Sequence, residues 1–248
     1  MISKNKLKEL AAYRLQKRCD EEAVFVVEGP KMAAEALASG FVVRVVCATG
    51  EWLSAHTDGL LAQECYEVSD AELERLSNFK SPNQVWLLVE RNGLKDFKDL
   101  KDPKDLILAL DKIQDPGNMG TMLRTADWYG VRHVVCSTDT VSCYNPKVVQ
   151  ASMGAVFRTR VDYVDLPQWL SGCGMPVYGA SLQGTPLSGV EMPRGNAVLL
   201  IGNESRGISP AAMAQVTHPV LIPNRGGTAE SLNAAVAAGI LMDRLWNN

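Results

Sequence analysis

The sequence lacks the features of a membrane-spanning, disulfide-stabilised or zinc-binding protein. None of its 248 residues belongs to a run of 18 uncharged apolar residues, and the lysine-rich start MISKNKLKEL has no apolar signal-peptide segment. We therefore expect a cytoplasmic protein that does not enter a membrane. The six cysteines form no C-x-x-C pair and the three histidines lie far apart in the sequence, so we expect neither a disulfide framework nor a metal site.

Motifs of common nucleotide-binding enzymes are also missing. No G-x-G-x-x-G follows an apolar strand and no P-loop is present, which argues against a dehydrogenase of the Rossmann type. The net charge of -3 argues mildly against a protein that coats nucleic acid by charge alone. Residues 1 to 18 nevertheless carry six basic side chains against the single acid Glu9, so this end of the chain could contact phosphates.

The hydrophobic pattern predicts an α/β protein with two domains. Residues 1–92 alternate between helix and strand patterns, beginning with a basic helix near 3–18, and predict a small α/β domain. Residues 93–105 carry Lys-Asp pairs around Pro103 and predict a solvated linker. From residue 106 to 248 the strands are almost continuously apolar, as in LILAL and AVLLIG, which is typical of a parallel sheet covered on both faces.

Three loops of the second domain are expected to meet at the carboxyl edge of that sheet, where parallel sheets bind ligands. The first follows LILAL and leads into a helix of about 119–129, which Gly130 ends. Its apolar face predicts that Arg124 points outward, either toward a ligand or into a surface ion pair with Asp127. The second loop, Gly202 to Gly207, carries Glu204 and allows either a ligand site or a solvated turn.

The third loop follows Pro223 and leads into a helix that we expect to begin near residues 229–231. Apolar side chains cover most of the circumference of this helix, so it must be packed on several sides. Gly239 in its middle is understandable if another backbone or a cofactor approaches closely. An ordinary core helix would explain the alanines but not the polar residues at the start of the helix. Together the three loops predict a site for a nucleotide-like ligand.

Three motifs resemble those of the SpoU (TrmH-like) branch of the SPOUT RNA methyltransferases. They are N-M-G-T-M-L-R-T-A at 118–126, I-G-N-E-S-R-G at 201–207, and I-P followed by S-L-N-A-A-V-A-A-G-I at 222–240. The first domain, with N-K-L-K-E-L, F-V-V-E-G and E-A-L, resembles a ribosomal-protein-L30e-like substrate-binding domain. The resemblance implies an N-terminal L30e-like α/β domain, a C-terminal parallel-sheet SPOUT domain with a trefoil knot, and a homodimer with its sites at the subunit interface.

The resemblance also implies the activity, which is methylation of a ribose 2'-hydroxyl in structured RNA with S-adenosyl-L-methionine (AdoMet) and without a metal. Ribosomal RNA is favoured over transfer RNA because the first domain resembles modules that grip structured RNA. A transfer RNA 2'-O-methyltransferase and a non-catalytic RNA-binding protein remain the alternatives. An AdoMet titration would separate the last of these from the enzymes.

Site residues follow from the same resemblance. Leu182, Gly202, Ile222 and Leu232 are expected to bind the cofactor; Asn118, Asn203, Ser231 and Asn233 the substrate; and Arg124 and Glu204 to be catalytic. The loop 224–230 looks slightly longer than in the family and lacks the common methionine after Pro223. Because arginine stays protonated at neutral pH, we interpret Arg124 as a phosphate clamp and oxyanion stabiliser, with Glu204 as the second candidate for the base.

Overall fold

The computed structural model describes residues 2–56, 62–91, 106–191, 193 and 195–246. The predicted linker 93–105 therefore lies outside the described residues. Contacts divide the chain into two compact units. The first unit holds the described residues up to 91 together with Tyr144–Arg158, and the second unit holds those of 106–143 and 159–246.

Helices and strands alternate along most of the chain. The helices are α1 Lys4–Ala11, α2 Gln16–Glu21, α3 Pro30–Ala38, α4 Gly50–Ala55, α5 Asp70–Leu76, α6 Pro116–Trp128, α7 Pro146–Ser152, α8 Leu166–Gly172, α9 Pro210–Met213 and α10 Ala234–Trp246. The strands are β1 Val24–Glu28, β2 Val43–Ala48, β3 Ala62–Glu67, β4 Val85–Glu90, β5 Leu106–Leu110, β6 His133–Ser137, β7 Arg160–Val164, β8 Val177–Pro186, β9 Ala197–Ile201 and β10 His218–Leu221. Among the described residues, none of the helices could span a lipid bilayer.

The first unit is built on a four-stranded sheet of order β1-β4-β2-β3. Its central strand β4 runs antiparallel to both β1 and β2, whereas β2 and β3 are parallel. The predicted single basic helix near 3–18 is wrong, because α1 ends at Ala11 and Leu15 adopts an extended backbone with φ -87° and ψ 120° before α2 begins. Leu7 and Leu10 still bury one face of α1 against this sheet.

The segment Tyr144–Arg158 packs into the first unit although it lies in sequence between β6 and β7. The rings of Phe25 and Tyr144 have centroids 4.7 Å apart, and those of Phe41 and Phe157 are 5.3 Å apart. Arg158 Nη1 lies 2.5 Å from a carboxylate oxygen of Glu35 on α3. Aromatic contacts of this kind add about 0.5 to 1.5 kcal/mol each beyond the burial of their area.

The second unit is a six-stranded sheet of order β10-β8-β9-β5-β6-β7 in which every neighbouring pair is parallel. This arrangement confirms the predicted α/β fold with a parallel sheet; the trefoil knot stays a prediction. The chain runs outward from β5 to β7 and then returns to the opposite side of β5. The order of the strands therefore reverses between β5 and β9, the position at which open parallel sheets bind ligands.

Helix α6 presents the two faces that the sequence predicts. Met119, Met122, Leu123 and Ala126 are 0% exposed, and Arg124 is exposed. Gly130 adopts a positive φ of +71°, and the next backbone N–H, from Val131, donates to the carbonyl of Ala126, which ends the helix.

Helix α10 begins at Ala234, later than the predicted start near residues 229–231. The side-chain oxygen of Asn233 accepts the backbone N–H groups of Ala235 and Val236, so Asn233 satisfies the first donors of the helix. Among the described residues no backbone approaches Gly239 closely, because the atom nearest to a Cβ there would be Thr125 Cγ2 at 3.7 Å, an ordinary contact.

Candidate active site

The loop after β9 is a tight turn closed by its own backbone. Asn203 and Gly207 exchange two N–H to carbonyl bonds of 3.0 and 2.9 Å. The side-chain oxygen of Asn203 accepts the N–H groups of Ser205 and Arg206 at 3.0 and 3.1 Å. A Cβ on Gly202 would lie 2.2 Å from the carbonyl carbon of Gly207 and from the nitrogen of Ile208, so only glycine fits.

A chain of side-chain hydrogen bonds joins the three loops that the sequence analysis singled out. Asn118 Nδ2 donates to Glu204 Oε1 at 3.0 Å, and Asn233 Nδ2 donates to Asn118 Oδ1 at 2.8 Å. Asn203 Nδ2 donates to the other carboxylate oxygen of Glu204 at 3.3 Å. The amide groups of Asn118, Asn203 and Asn233 all have partners in this hydrogen-bond network. The Glu204 carboxylate is therefore held in one orientation at the sheet edge.

The turn after β5 contributes two residues that the sequence analysis missed. Asp111 is 1% exposed, and its carboxylate accepts the backbone N–H of Ser209 at 2.6 Å. Lys112 has a positive φ of +59°, and its carbonyl accepts Asn203 Nδ2 at 2.7 Å. An acidic residue directly after a buried strand was the available signal for Asp111; no sequence pattern marks the backbone of Lys112.

A cavity of about 470 Å³ opens at the carboxyl ends of β8, β9 and β10. Its volume lies in the range of small-molecule sites. Its walls come from the ends of these strands, from the loop after β9, and from the start of α10 with the residues before it. Glu204, Glu230 and Arg206 are the charged residues among those that line it.

Seven of the ten predicted site residues line this cavity: Leu182, Gly202, Asn203, Glu204, Ile222, Ser231 and Leu232. Asn118 and Asn233 are not among the lining residues but reach it through the hydrogen bonds to Glu204. The other polar residues of the lining were not predicted as site residues; they are Ser181, Gln183, Ser205, Arg206 and Glu230. The structure therefore brings nine of the ten residues to one place.

Arg124 is the exception. Its side chain is exposed on α6, six residues beyond Asn118, and it does not line the cavity. Within the ranges that the structure describes, Arg124 has no hydrogen-bond or salt-bridge partner. It therefore does not form the surface ion pair with Asp127 that the sequence also allows. Its guanidinium is therefore available to a ligand that approaches from outside.

The described residues contain neither a metal-binding cluster nor a disulfide. Over the described residues, no three His, Cys, Asp or Glu side chains are grouped so that they could hold a metal ion. All six cysteines lie in the described ranges, and no disulfide joins any of them. Burial raises the pKa of the Cys47 thiol to about 12, so this thiol stays protonated.

The lining of the cavity fits AdoMet. Leu182 and Leu232 are 68% and 49% exposed, and their apolar surfaces are available to cover an adenosyl group. Two carboxylates against one guanidinium give the lining a negative balance, which suits a cationic sulfonium. Because Gly202 has no side chain, its loop can close tightly against the backbone of Gly207 and Ile208 beside the cavity.

Comparisons with known proteins place the chain in a family. A model of the SpoU rRNA Methylase family matches residues 105–243, and one of the MRM3-like substrate binding domain matches residues 4–86. The 23S rRNA (guanosine(2553)-2'-O)-methyltransferase RlmP of Bacillus subtilis is 31% identical over 245 residues, covering 97% of this chain and 95% of that protein.

Solved structures agree with this assignment. A TrmH-family chain from Porphyromonas gingivalis is 36% identical with a TM-score of 0.86, covering 100% of this chain and 99% of the other. An AdoMet-bound rRNA methyltransferase from Sinorhizobium meliloti is 27% identical with a TM-score of 0.81, covering 99% and 95%. The chain belongs to the SpoU rRNA methylase family, and it is an RNA 2'-O-ribose methyltransferase that uses AdoMet.

Proposed function

We propose that the chain methylates a ribose 2'-hydroxyl in ribosomal RNA. The observation that carries this proposal is the hydrogen-bond network Asn233–Asn118–Glu204. It fixes a carboxylate at the edge of the cavity that fits AdoMet, which we call the cofactor cavity. The names of the relatives support the choice of RNA, because RlmP of Bacillus subtilis and RlmB of Coxiella burnetii are both 23S rRNA methyltransferases. RlmB of Coxiella burnetii is 30% identical over 184 residues, which are 71% of this chain and 73% of that protein.

AdoMet supplies an electrophilic methyl group, so the protein has to position the ribose hydroxyl and assist the loss of its proton. A well-oriented reactant can lower the barrier by several kcal/mol, about 7 to 11 in favourable intramolecular cases. Asn118 and Asn233 hold Glu204 in place by the bonds given above, and Ser231 lines the same cavity. We assign Glu204 to accepting or orienting the hydroxyl proton, and Asn203 to fixing its carboxylate.

We assign Arg124 to the RNA backbone. A guanidinium remains protonated at neutral pH, so Arg124 acts as a clamp on a phosphate and as a stabiliser of the charge that develops on the ribose oxygen. The exposed position of Arg124 on α6 and the absence of a partner for it among the described residues support this role.

The target RNA can be found by mapping 2'-O-methyl groups in ribosomal and transfer RNA from cells with and without the gene. We expect one ribosomal position to lose its methyl group and to regain it when the wild-type gene is returned. Purified protein with labelled AdoMet is expected to modify the same position in protein-free, unmodified ribosomal RNA. Loss of a methyl group from transfer RNA alone would contradict the proposal, and AdoMet binding without transfer to either RNA would favour a non-catalytic role.

We also propose that the chain forms a homodimer through α6 and α10. Trp128 is 84% exposed at the end of α6, and Val236 and Ile240 are 51% and 39% exposed one turn apart on α10. Because α6 and α10 pack against each other, these exposed apolar side chains lie on neighbouring helices, and exposed apolar groups of this kind mark protein interfaces. Arg124 lies one turn before Trp128, so a site completed at the interface explains why Arg124 does not line the cavity of its own chain.

Replacing Val236 with aspartate is expected to convert the dimer to a monomer, because a carboxylate on this apolar surface would have to be desolvated on association. Light scattering coupled to size-exclusion chromatography measures the mass. Val42→Asp is the matched control, since Val42 is 43% exposed in the first unit. A wild-type protein that is monomeric at micromolar concentration, or a Val236→Asp variant that remains dimeric, would contradict the proposal.

A further inference from the structure

A second cavity, of about 480 Å³, lies within the first unit. It is formed by the end of β1, the start of α3, the loop between α5 and β4, and the end of α7. Its lining residues belong entirely to that unit, so the cavity is separate from the one that binds the cofactor. It is as large as the cofactor cavity and has no role in the chemistry assigned above.

Both apolar and polar side chains line this cavity. Met32, Phe79 and Met153 provide the apolar surface, and Met32 is 1% exposed. The polar part of the lining includes the amides of Asn83 and Gln150, the hydroxyl of Ser81 and the ammonium of Lys31. In the part of the chain that the structure describes, these four polar side chains have no hydrogen-bond or ion-pair partner, so their groups are available to a ligand.

Glu28 forms one wall and is already satisfied. Its carboxylate accepts the hydroxyl of Ser77, and it accepts the backbone N–H of Asn78 at 2.9 Å. Burial raises the pKa of this carboxyl. The ammonium of Lys31 suits a ligand that carries a negative charge beside an apolar group.

We propose that this cavity is a subsite for an unpaired base of the RNA substrate. The inference rests on the proposed function, because the ligand is taken to be part of the same RNA. An unpaired base has an apolar face that stacks on aromatic rings and an edge that hydrogen-bonds to amides, and its phosphates pair with basic side chains. This one cavity is lined by all three kinds of group: the aromatic ring of Phe79, the amides of Asn83 and Gln150, and the basic side chain of Lys31.

The end of α7 contributes residues to this subsite from a part of the sequence far from the first 92 residues. Gln150 and Met153 come from the segment Tyr144–Arg158, which lies in sequence within the range of the SpoU match. Met153 has a left-handed backbone with φ 50° at the end of α7, which turns the chain beside the cavity. The subsite therefore combines residues from the regions that match the two family models.

The test measures methyl transfer to protein-free ribosomal RNA with labelled AdoMet, together with RNA binding by filter retention. Phe79→Leu keeps an apolar side chain but removes the ring, and we expect about a tenfold increase in KM and Kd for RNA. Phe79→Tyr keeps the ring and is expected to stay within about twofold of wild type. Gln150→Ala is expected to raise both constants about threefold to fivefold through the lost hydrogen bond.

Gln168→Ala is the control for the glutamine, since Gln168 is exposed on α8 and lines neither cavity. The Kd for AdoMet and the kcat are expected to stay within twofold of wild type in all four variants, and thermal melting verifies that each is folded. If either Phe79→Leu or Gln150→Ala is folded and keeps the wild-type KM and Kd for RNA, the subsite is overturned. The proposed function is not affected by that result. If the wild-type protein binds the RNA without methylating it, the proposed function is refuted, and the Kd values of the variants still test the subsite. If the wild-type protein does not bind the RNA at all, both the proposed function and the subsite are overturned.

Discussion

Arg124→Ala is expected to lower kcat for methyl transfer to RNA by about 100-fold or more, the effect of removing one donor that stabilises a developing oxyanion. The Kd for AdoMet is expected to stay within twofold of wild type, because Arg124 does not line the cofactor cavity. Its exposed side chain has no partner among the described residues, so its loss removes no contact that holds the fold. Labelled-AdoMet transfer and an AdoMet titration measure the two effects separately.

Arg124→Lys distinguishes a planar clamp from a simple positive charge. Lysine keeps the charge but cannot form two parallel hydrogen bonds to a phosphate, so we expect it to recover only part of the lost rate. Arg206→Ala is the contrasting variant, since Arg206 lines the cofactor cavity and its loss is expected to act on AdoMet binding. Wild-type turnover by Arg124→Ala would remove Arg124 from the mechanism.

Gly202→Ala is expected to weaken AdoMet binding by about tenfold or more and to lower the melting temperature by about 3 to 10 °C. The added methyl group would lie 2.2 Å from two backbone atoms on the opposite side of the loop, and backbone cannot rotate away as a side chain can. An overpacked site of this kind costs about 1 to 3 kcal/mol, and 1.4 kcal/mol corresponds to tenfold in a dissociation constant. Isothermal titration and thermal melting measure the two effects.

Gly227→Ala serves as the control for glycine replacement near the same site. A Cβ at Gly227 would lie 3.6 Å from Asn224 Oδ1, an ordinary contact, so alanine fits there. We expect wild-type melting and AdoMet binding for this variant. Equal behaviour of Gly202→Ala and Gly227→Ala would contradict the assignment of the loop after β9 to the cofactor.

The sequence predicts the parallel sheet well because its strands are buried on both faces. Five residues of β5 are at most 2% exposed, and LILAL consists only of apolar residues. The hydrophobic pattern does not predict strand β7, for the opposite reason. It lies at the edge of the sheet and carries Arg160 and Asp162, so its pattern does not differ from that of a polar loop.

The candidate site was predictable where side chains carry the signal. Glu204 and Asn118 were predicted by motif, and they hydrogen-bond to each other across 86 residues of sequence. The carbonyl of Lys112 could not be predicted, because a backbone group has no residue-type signature. The sequence predicts too early a start for α10, because the polar residues before Asn233 resemble a helix start. The actual start is defined by the backbone N–H groups of Ala235 and Val236, which donate to the side chain of Asn233.

The position of α7 restricts how this protein can be recombined with its relatives. A crossover at residues 93–105 would join the first 92 residues of one parent to the remainder of another, including Tyr144–Arg158. Phe157 packs against Phe25 and Phe41, and Arg158 pairs with Glu35, so these partners would then descend from different parents. A functional chimera therefore has to inherit the internal segment 144–158 together with the first 92 residues, which makes three exchange points necessary instead of one.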